Sequence, residues 1–195
     1  AHGAVDWSVV RVMTPGVLAG TAVGTFIARQ VSTQTLSLFF AVFIGYVALN
    51  MLIGIKPKPA RQLPGPAGLV GVGGGIGLVS ALVAIGGGAL TVPFLTWCNR
   101  DLRHAIGTSA ALGLPIALGG TAGYIINGWD VANLPPQTLG YVHLPALVAV
   151  VAASLFTTPM GARAAHRLPV PMLKRLFSVL LIGLAARMLW KLWLA

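Results

Sequence analysis

The run Leu69-Val70-Gly71-Val72-Gly73-Gly74-Gly75-Ile76-Gly77-Leu78-Val79-Ser80-Ala81-Leu82-Val83-Ala84-Ile85-Gly86-Gly87-Gly88-Ala89-Leu90-Thr91-Val92-Pro93-Phe94-Leu95-Thr96-Trp97 decides the fold. Its length exceeds the roughly 20 apolar residues a helix needs to cross a bilayer. It breaks, however, at Ile85-Gly86-Gly87-Gly88-Ala89-Leu90 and resumes at Thr91-Val92-Pro93-Phe94-Leu95. Successive glycines leave peptide groups poorly shielded and the backbone entropically loose. Irregular backbone persists at membrane depth only where protein buries it or a polar cavity hydrates it. Transporters use such broken helices to turn bare backbone groups toward a substrate near the midplane. The competing reading is close helix packing through small residues. Packing suits Gly71-Val72-Gly73-Gly74-Gly75, near the helix start, whereas Gly86 to Gly88, with Pro93 following, read as a functional break.

The rest of the chain agrees with a membrane setting. Of 195 residues, 56% are hydrophobic and 8% charged, and the mean hydropathy is +0.87. Soluble domains carry about 25% charged residues, so the composition is that of an all-α, polytopic transmembrane helical bundle. The formal charge of +10 does not call for nucleic acid, because Lys and Arg gather in loops, where they set orientation and meet anionic headgroups. The lipid bilayer is the expected partner, and homo-oligomerisation stays open. The single cysteine, Cys98, excludes an internal disulfide and a multi-cysteine metal site. The chain opens on Ala1 with neither Met nor signal peptide, and reads as beginning inside a longer protein.

Apolar runs predict spans at Ser8 to Val31, Leu36 to Ile55, the broken element Gly68 to Trp97, Ala105 to Ile126, Leu139 to Thr158 and Val170 to Leu194. Gly16, Gly20 and Gly24 recur every four residues in the first span and make a smooth packing face. Lys56-Pro57-Lys58-Pro59-Ala60-Arg61 is a basic, proline-stiffened loop, and Arg163 to Arg167 is a second basic connection. Asn127 to Thr138 reads as a loop with one acid, Asp130. Trp7, Trp190 and Trp193 suit the interface.

A shift of 137 residues aligns Leu18–Leu52 with Leu155–Leu189 without a gap, matching Gly24 with Gly161, Phe40 with Phe177, Ala48 with Ala185 and Met51-Leu52 with Met188-Leu189. Internal duplication of this sort is common in secondary transporters. The expected organisation is one transmembrane domain over 1–195, with 8–55 the hairpin of repeat one and 68–195 repeat two. The first part of repeat one is then missing, and would hold a second glycine-rich break. If the broken element crosses once, the 13 Lys and Arg divide six against seven; if it returns to its starting side, they divide ten against three, with Arg29, Arg187 and Lys191 alone opposite. The positive-inside rule favours the second case, a re-entrant element and inverted repeats. The basic turns Arg29-Gln30 and His166-Arg167, corresponding in the two copies, weigh toward parallel repeats.

Gly86-Gly87-Gly88-Ala89-Leu90-Thr91-Val92-Pro93-Phe94-Leu95, then Ala105-Ile106-Gly107-Thr108-Ser109, then Gly123-Tyr124, resemble the second repeat of the TauE/SafE sulfite exporter family. Leu134-Pro135 through Gly140-Tyr141-Val142, Gly161-Ala162-Arg163 and Leu173-Lys174-Arg175-Leu176-Phe177 extend the resemblance over nearly the whole chain. It implies a multi-pass transporter of the bacterial cytoplasmic membrane that moves sulfite, organosulfonates or related small organic anions.

An anion carrier needs donors at the midplane without an overwhelming fixed charge, since the ion must also leave. Backbone N–H groups at a helix N-terminus supply them. The candidate substrate-binding residues are therefore Gly86, Gly87, Gly88, Thr91, Pro93, Thr108 and Ser109, with Arg103 and His104 at a span entrance. The competing role for Thr108 and Ser109 is back-bonding to a helix carbonyl, which Thr121 also suits. Asp6 and Asp130 read as caps or loop anchors. His143 and His166 lack acidic or cysteine partners at ligand spacing, so no metal is expected, and no other cofactor is. The only acids, Asp6, Asp101 and Asp130, lie outside the spans, which disfavours a carboxylate proton relay. No phosphate loop and no paired acid or Ser–His–Asp pattern indicates nucleotide coupling or an intramembrane enzyme. A channel or a structural subunit remains as an alternative.

Overall fold

The computed structural model describes residues 5–53, 62–132, 134–167 and 169–193. The basic loop Lys56–Arg61 and the side chains of the Arg163–Arg167 connection lie outside the described residues. Within them the chain forms α1 (Trp7–Gln30), α2 (Thr33–Ile53), α3 (Pro66–Val83), α4 (Gly88–Trp97), α5 (Leu102–Gly128), a two-stranded hairpin β1 (Thr138–Leu139) and β2 (Val142–His143), α6 (Leu144–Arg167) and α7 (Val170–Trp193). Every helix but α4 contains a stretch long and apolar enough to cross a membrane. The chain is an all-α helical bundle of the polytopic membrane type, its hairpin too small to alter the class.

Two compact units divide these elements. The first holds α1, α3, α4 and most of α5. In it α1 and α3 touch along their backbones. β-Carbons placed on Gly16, Gly20 and Gly24 would stand 2.0, 2.0 and 2.7 Å from the carbonyl oxygens of Val70, Gly74 and Leu78. In return, those on Gly73 and Gly77 would meet the carbonyl oxygens of Met13 and Val17 at 2.7 and 2.3 Å. Both residue numbers rise together, so the two helices run parallel. Small residues allow this approach, and dispersion together with Cα–H···O contacts holds it in a medium without a hydrophobic driving force. Gly71 and Gly75 have nothing within 4 Å, so only one face of the α3 glycine run is used for packing.

α5 runs parallel to α1 as well. The Asp6 N–H donates to Thr108 Oγ1 at 2.9 Å, while Gly119 and Gly123 press on Thr21 and Thr25 farther along. Thr21 and Thr25, both fully buried, donate to the carbonyls of Leu18 and Ala22 and so keep their hydroxyls satisfied. The Tyr124 hydroxyl donates to the Ala81 carbonyl at 2.7 Å, tying the far ends of α5 and α3 together. Between these ends α4 descends against α5. Gly88 lies beside Ser109 and Gly87 beside Ile116, while Arg100, just past α4, reaches Asp6 at the start of α1. The chain from α3 to the start of α5 thus leaves one end of this unit and comes back to it. Met13, Val17, Leu95, Leu112 and Ile116 fill the space between, as its apolar core.

The second unit holds most of α2, the hairpin, α6 and α7. Its hairpin corrects the sequence reading at two points. Residues expected to open a span at Leu139 pair instead as Thr138↔His143 and Leu139↔Val142, and α6 begins only at Leu144. Gly140, at φ +56°, makes the turn, and its close approach to Ile125 leaves no room for a side chain. At the other end α6 continues through Pro159 to Arg167 rather than stopping at Thr158. Every described residue of α6 from Leu144 to Gly161 is exposed. A helix apolar on all its faces is at home in hydrocarbon. The bounds of α1 and α6, and the first residues of α2 and α7, fall 137 residues apart.

Candidate functional site

The break lies between α3 and α4, and its sharpest residue is not a glycine. Ala84 caps α3 in the left-handed conformation, φ 51° and ψ 29°, which costs an L-residue about 1–2 kcal/mol. Gly87, the N-cap of α4, has an ordinary φ of −49° and ψ of −11°. Space is what excludes a side chain there: a β-carbon on Gly87 would stand 2.5 Å from Ile116 Cδ1.

α4 therefore starts with bare donors. No side chain caps it. The Leu90 and Thr91 N–H groups donate to the Gly87 carbonyl at 3.3 and 2.8 Å, but those of Gly87, Gly88 and Ala89 find no partner among the described residues. A helix start concentrates about half a positive charge on such groups. Ten residues of helix span about 15 Å, half of a hydrocarbon core of roughly 30 Å. Its other end lies at the polar Asn99-Arg100-Asp101 turn.

Thr91 supplies a second and independent feature. It is fully buried, and its hydroxyl, like that of Ser80 on α3, has no hydrogen-bond partner among the described residues. Thr14, Thr96 and Thr157, also helical, donate to carbonyls four residues back, so Thr91 departs from its peers. Its Oγ1 lies 3.3 Å from the position of a Gly87 β-carbon, and Ser109 Oγ lies 3.6 Å from that of Gly88. An unsatisfied buried hydroxyl costs about 1–3 kcal/mol, a cost a polar ligand at the break would remove.

Of the residues singled out in the sequence, Gly87, Gly88, Thr91 and Ser109 come together here. Gly86 is exposed in the connecting turn. Pro93 lies farther along α4, exposed, where its missing N–H frees the Ala89 carbonyl. Thr108 is fully buried and its hydroxyl oxygen accepts from the Asp6 N–H, which joins α5 to the start of α1. Thr121 is exposed.

At the end of the unit a cavity of about 400 Å³ is lined by Val5, Asp6, Trp7, Asn99, Arg100, Asp101 and His104. His104 belongs to it; Arg103 is not among its walls. The cation there is Arg100, whose Nη2 stands 3.4 Å from Asp6 Oδ2, and His104 Nδ1 stands 3.6 Å from Asp101 Oδ2. Asp6 caps α1, accepting from the Val9 N–H. The Ser8 hydroxyl above all holds its carboxyl below the usual value of 3.8, against the opposing effect of burial, the next largest, and with smaller help from the Val9 N–H and the Arg100 guanidinium. Arg100, Ala84 and Ile116 escaped the sequence reading. Only Ile116 carried a signal, two helical turns beyond Ser109 on the same face.

Comparison with known proteins adds to this picture. The family model described as sulfite exporter TauE/SafE matches residues 1–188. A probable membrane transporter protein of Haemophilus influenzae is 35% identical over 192 residues, covering 97% of this chain and 72% of that protein. The probable membrane transporter protein MamO of Magnetospirillum gryphiswaldense is 26% identical over 224 residues, 95% of this chain and 34% of its own length. No solved structure gives a significant match.

Proposed function

The chain belongs to the sulfite exporter TauE/SafE family, and from this premise we propose that it is a secondary transporter carrying small oxyanions, sulfite or organosulfonates, across a bacterial cytoplasmic membrane. The observation that carries the reading is the uncapped start of α4 beside the unpartnered, fully buried Thr91 hydroxyl. Neutral donors there attract an anion yet release it, as alternating access requires. The Arg100 cavity serves as the mouth. Arg100 and Arg103 lie at the α5 start and Arg29 at the far end of α1, so by the positive-inside rule the mouth faces the cytoplasm.

Counterflow of radiolabelled sulfite in proteoliposomes, with the wild-type protein and Gly87→Leu, tests the reading. Saturable exchange that vanishes in a folded variant supports a carrier with its site at the break. Flux that neither saturates nor shows counterflow indicates a channel. Exchange of other anions but not sulfite overturns the substrate alone, and absence of any exchange overturns the transporter reading.

A further inference from the structure

Asp6 holds two neighbouring elements with two different groups. Its backbone N–H donates to Thr108 Oγ1 at 2.9 Å and fixes the start of α5. Its carboxylate faces Arg100, whose Nη2 stands 3.4 Å from Oδ2. Arg100 in turn belongs with α4. Asn99 is left-handed at φ 59°, and the Asn99 and Arg100 N–H groups donate to the Thr96 and Leu95 carbonyls at 3.1 and 3.0 Å. This is a Schellman ending, with asparagine in the place glycine usually takes. Arg100 is therefore carried rigidly on the end of α4, and its ion pair ties that end to α1.

α4 is held unlike the helices around it. α1 and α3 interlock through backbone: a β-carbon on Gly16, Gly20 or Gly77 would stand within 2.3 Å of a carbonyl oxygen of the facing helix. α5 is keyed to α1 by Gly119 and Gly123 as well as by Thr108. At its start, by contrast, α4 meets α5 through the ends of the Ser109 and Ile116 side chains. The chain entering it passes Gly86, which has nothing within 4 Å, and a glycine in open space is free to turn. The cavity lies along the seam at the other end. Val5, Asp6 and Trp7 form one side, and Asn99, Arg100, Asp101 and His104 the other. Asp101 and His104 pair with each other at the start of α5, so the ion pair that crosses the cavity is Arg100 with Asp6. The two side chains are 45% and 22% exposed. A pair so open to water shifts an equilibrium by up to about fivefold, enough to bias a moving element and too little to lock it.

Resting on the transporter reading above, we propose that α4 and its Schellman turn swing as one arm about Gly86, and that the Arg100–Asp6 pair is the latch that holds the mouth closed. Cys98, the C-cap of α4, is buried in the latched state and becomes reachable when the arm leaves α1.

The test reads Cys98, the single thiol, by its rate of modification with N-ethylmaleimide in the native protein in detergent. Asp6→Asn, which keeps the cap and the backbone bond to Thr108, and Arg100→Gln should each react about two- to fivefold faster than wild type. The double variant should be no faster than the faster single one, because both remove the same bond. Tyr124→Phe, which cuts a tie at the opposite end of the unit, should react at the wild-type rate. Transport is read in sulfite counterflow on Asp6→Cys/Arg100→Cys in a Cys98→Ala background. A cleavable bifunctional methanethiosulfonate bridging the two cysteines should stop exchange until it is reduced, and a monofunctional reagent of similar size should not. Equal thiol rates in wild type and latch variants, the same acceleration by Tyr124→Phe, or multiplied effects in the double variant overturn the latch. So does undiminished exchange in the bridged protein, or equal arrest by the monofunctional reagent. Thiol rates as expected in a wild-type protein that exchanges no anion overturn the transporter reading and leave the moving arm standing.

Discussion

Gly20 and Gly74 meet backbone to backbone: a β-carbon on Gly20 would stand 2.0 Å from the Gly74 carbonyl oxygen. Neither atom belongs to a side chain that could rotate away, so the two helices themselves would have to part. Gly20→Ala should accordingly destabilise by at least the roughly 3 kcal/mol at the upper end of ordinary overpacking. Gly71→Ala, on the same α3 run but facing open space, should be neutral or stabilising by about 0.5–1 kcal/mol, since alanine orders a helix more cheaply than glycine. Thermal unfolding in detergent distinguishes them. Equal tolerance of the two substitutions would mean that α1 and α3 are not in backbone contact.

The turn at the break separates two demands that the sequence merges into one glycine motif. Ala84 bears the left-handed backbone and Gly87 the lack of space. Ala84→Gly should stabilise by about 0.5–1 kcal/mol, the steric relief less the entropy of glycine, with exchange unchanged. Gly87→Ala, at an ordinary φ, should fold by displacing the flexible end of Ile116 but lose about tenfold or more in exchange, because one added methyl covers the bare donors. Pairing it with Ile116→Val should restore part of that loss. Exchange that survives Gly87→Ala unaltered would remove the α4 start from the transport path.

How much of this was legible in the sequence follows from what each feature depends on. The spans and the glycine break rest on local composition, and the glycine faces on helical spacing, so Gly16, Gly20 and Gly24 were readable as a packing face. Their partner was not, because the choice of α3 depends on which helices run parallel. The hairpin at Thr138–His143 hid behind an apolar stretch that continues smoothly into α6, and hydropathy does not register a turn made by Gly140. At the site, Thr91 and Ser109 were recognisable by residue type. That Thr108 also accepts from the Asp6 N–H was not readable, because that partner lies 102 residues away. Ala84 gave no signal, since alanine is an ordinary helix former and its strain is set by the surrounding fold.

Thr91 ought to show opposite effects on stability and on activity. Its hydroxyl is buried without a partner, so Thr91→Val, similar in shape but without the donor, should stabilise the protein by about 1 kcal/mol or more in the absence of ligand. The same change removes a hydrogen bond to a bound anion and should weaken exchange by about tenfold, the equivalent of a charge-assisted bond of roughly 1.5 kcal/mol or more. Protection by ligand should change with it: an anion that raises the unfolding temperature of wild type should do so less for the variant. A valine variant that is less stable and equally active would show that the hydroxyl serves packing alone.

Acid should act on the mouth through Asp6. Its folded pKa is held below the ordinary 3.8, first by the Ser8 hydroxyl and then by the Val9 N–H and Arg100. The carboxylate's contribution to stability is therefore complete above about pH 3.8 and is lost as pH falls below it, through the depressed folded pKa. Asp6→Asn keeps an oxygen that can accept from the Val9 N–H and removes the charge, so it should cost little as a cap while flattening that part of the acid dependence. Asp6→Ala, with no acceptor, should cost about 1 kcal/mol already at neutral pH. Unfolding temperatures of the three proteins measured from pH 7 down to about pH 2.5 provide the check. Parallel acid profiles for wild type and Asp6→Asn would show that the carboxylate charge does not stabilise the joint between α1 and the α4–α5 turn.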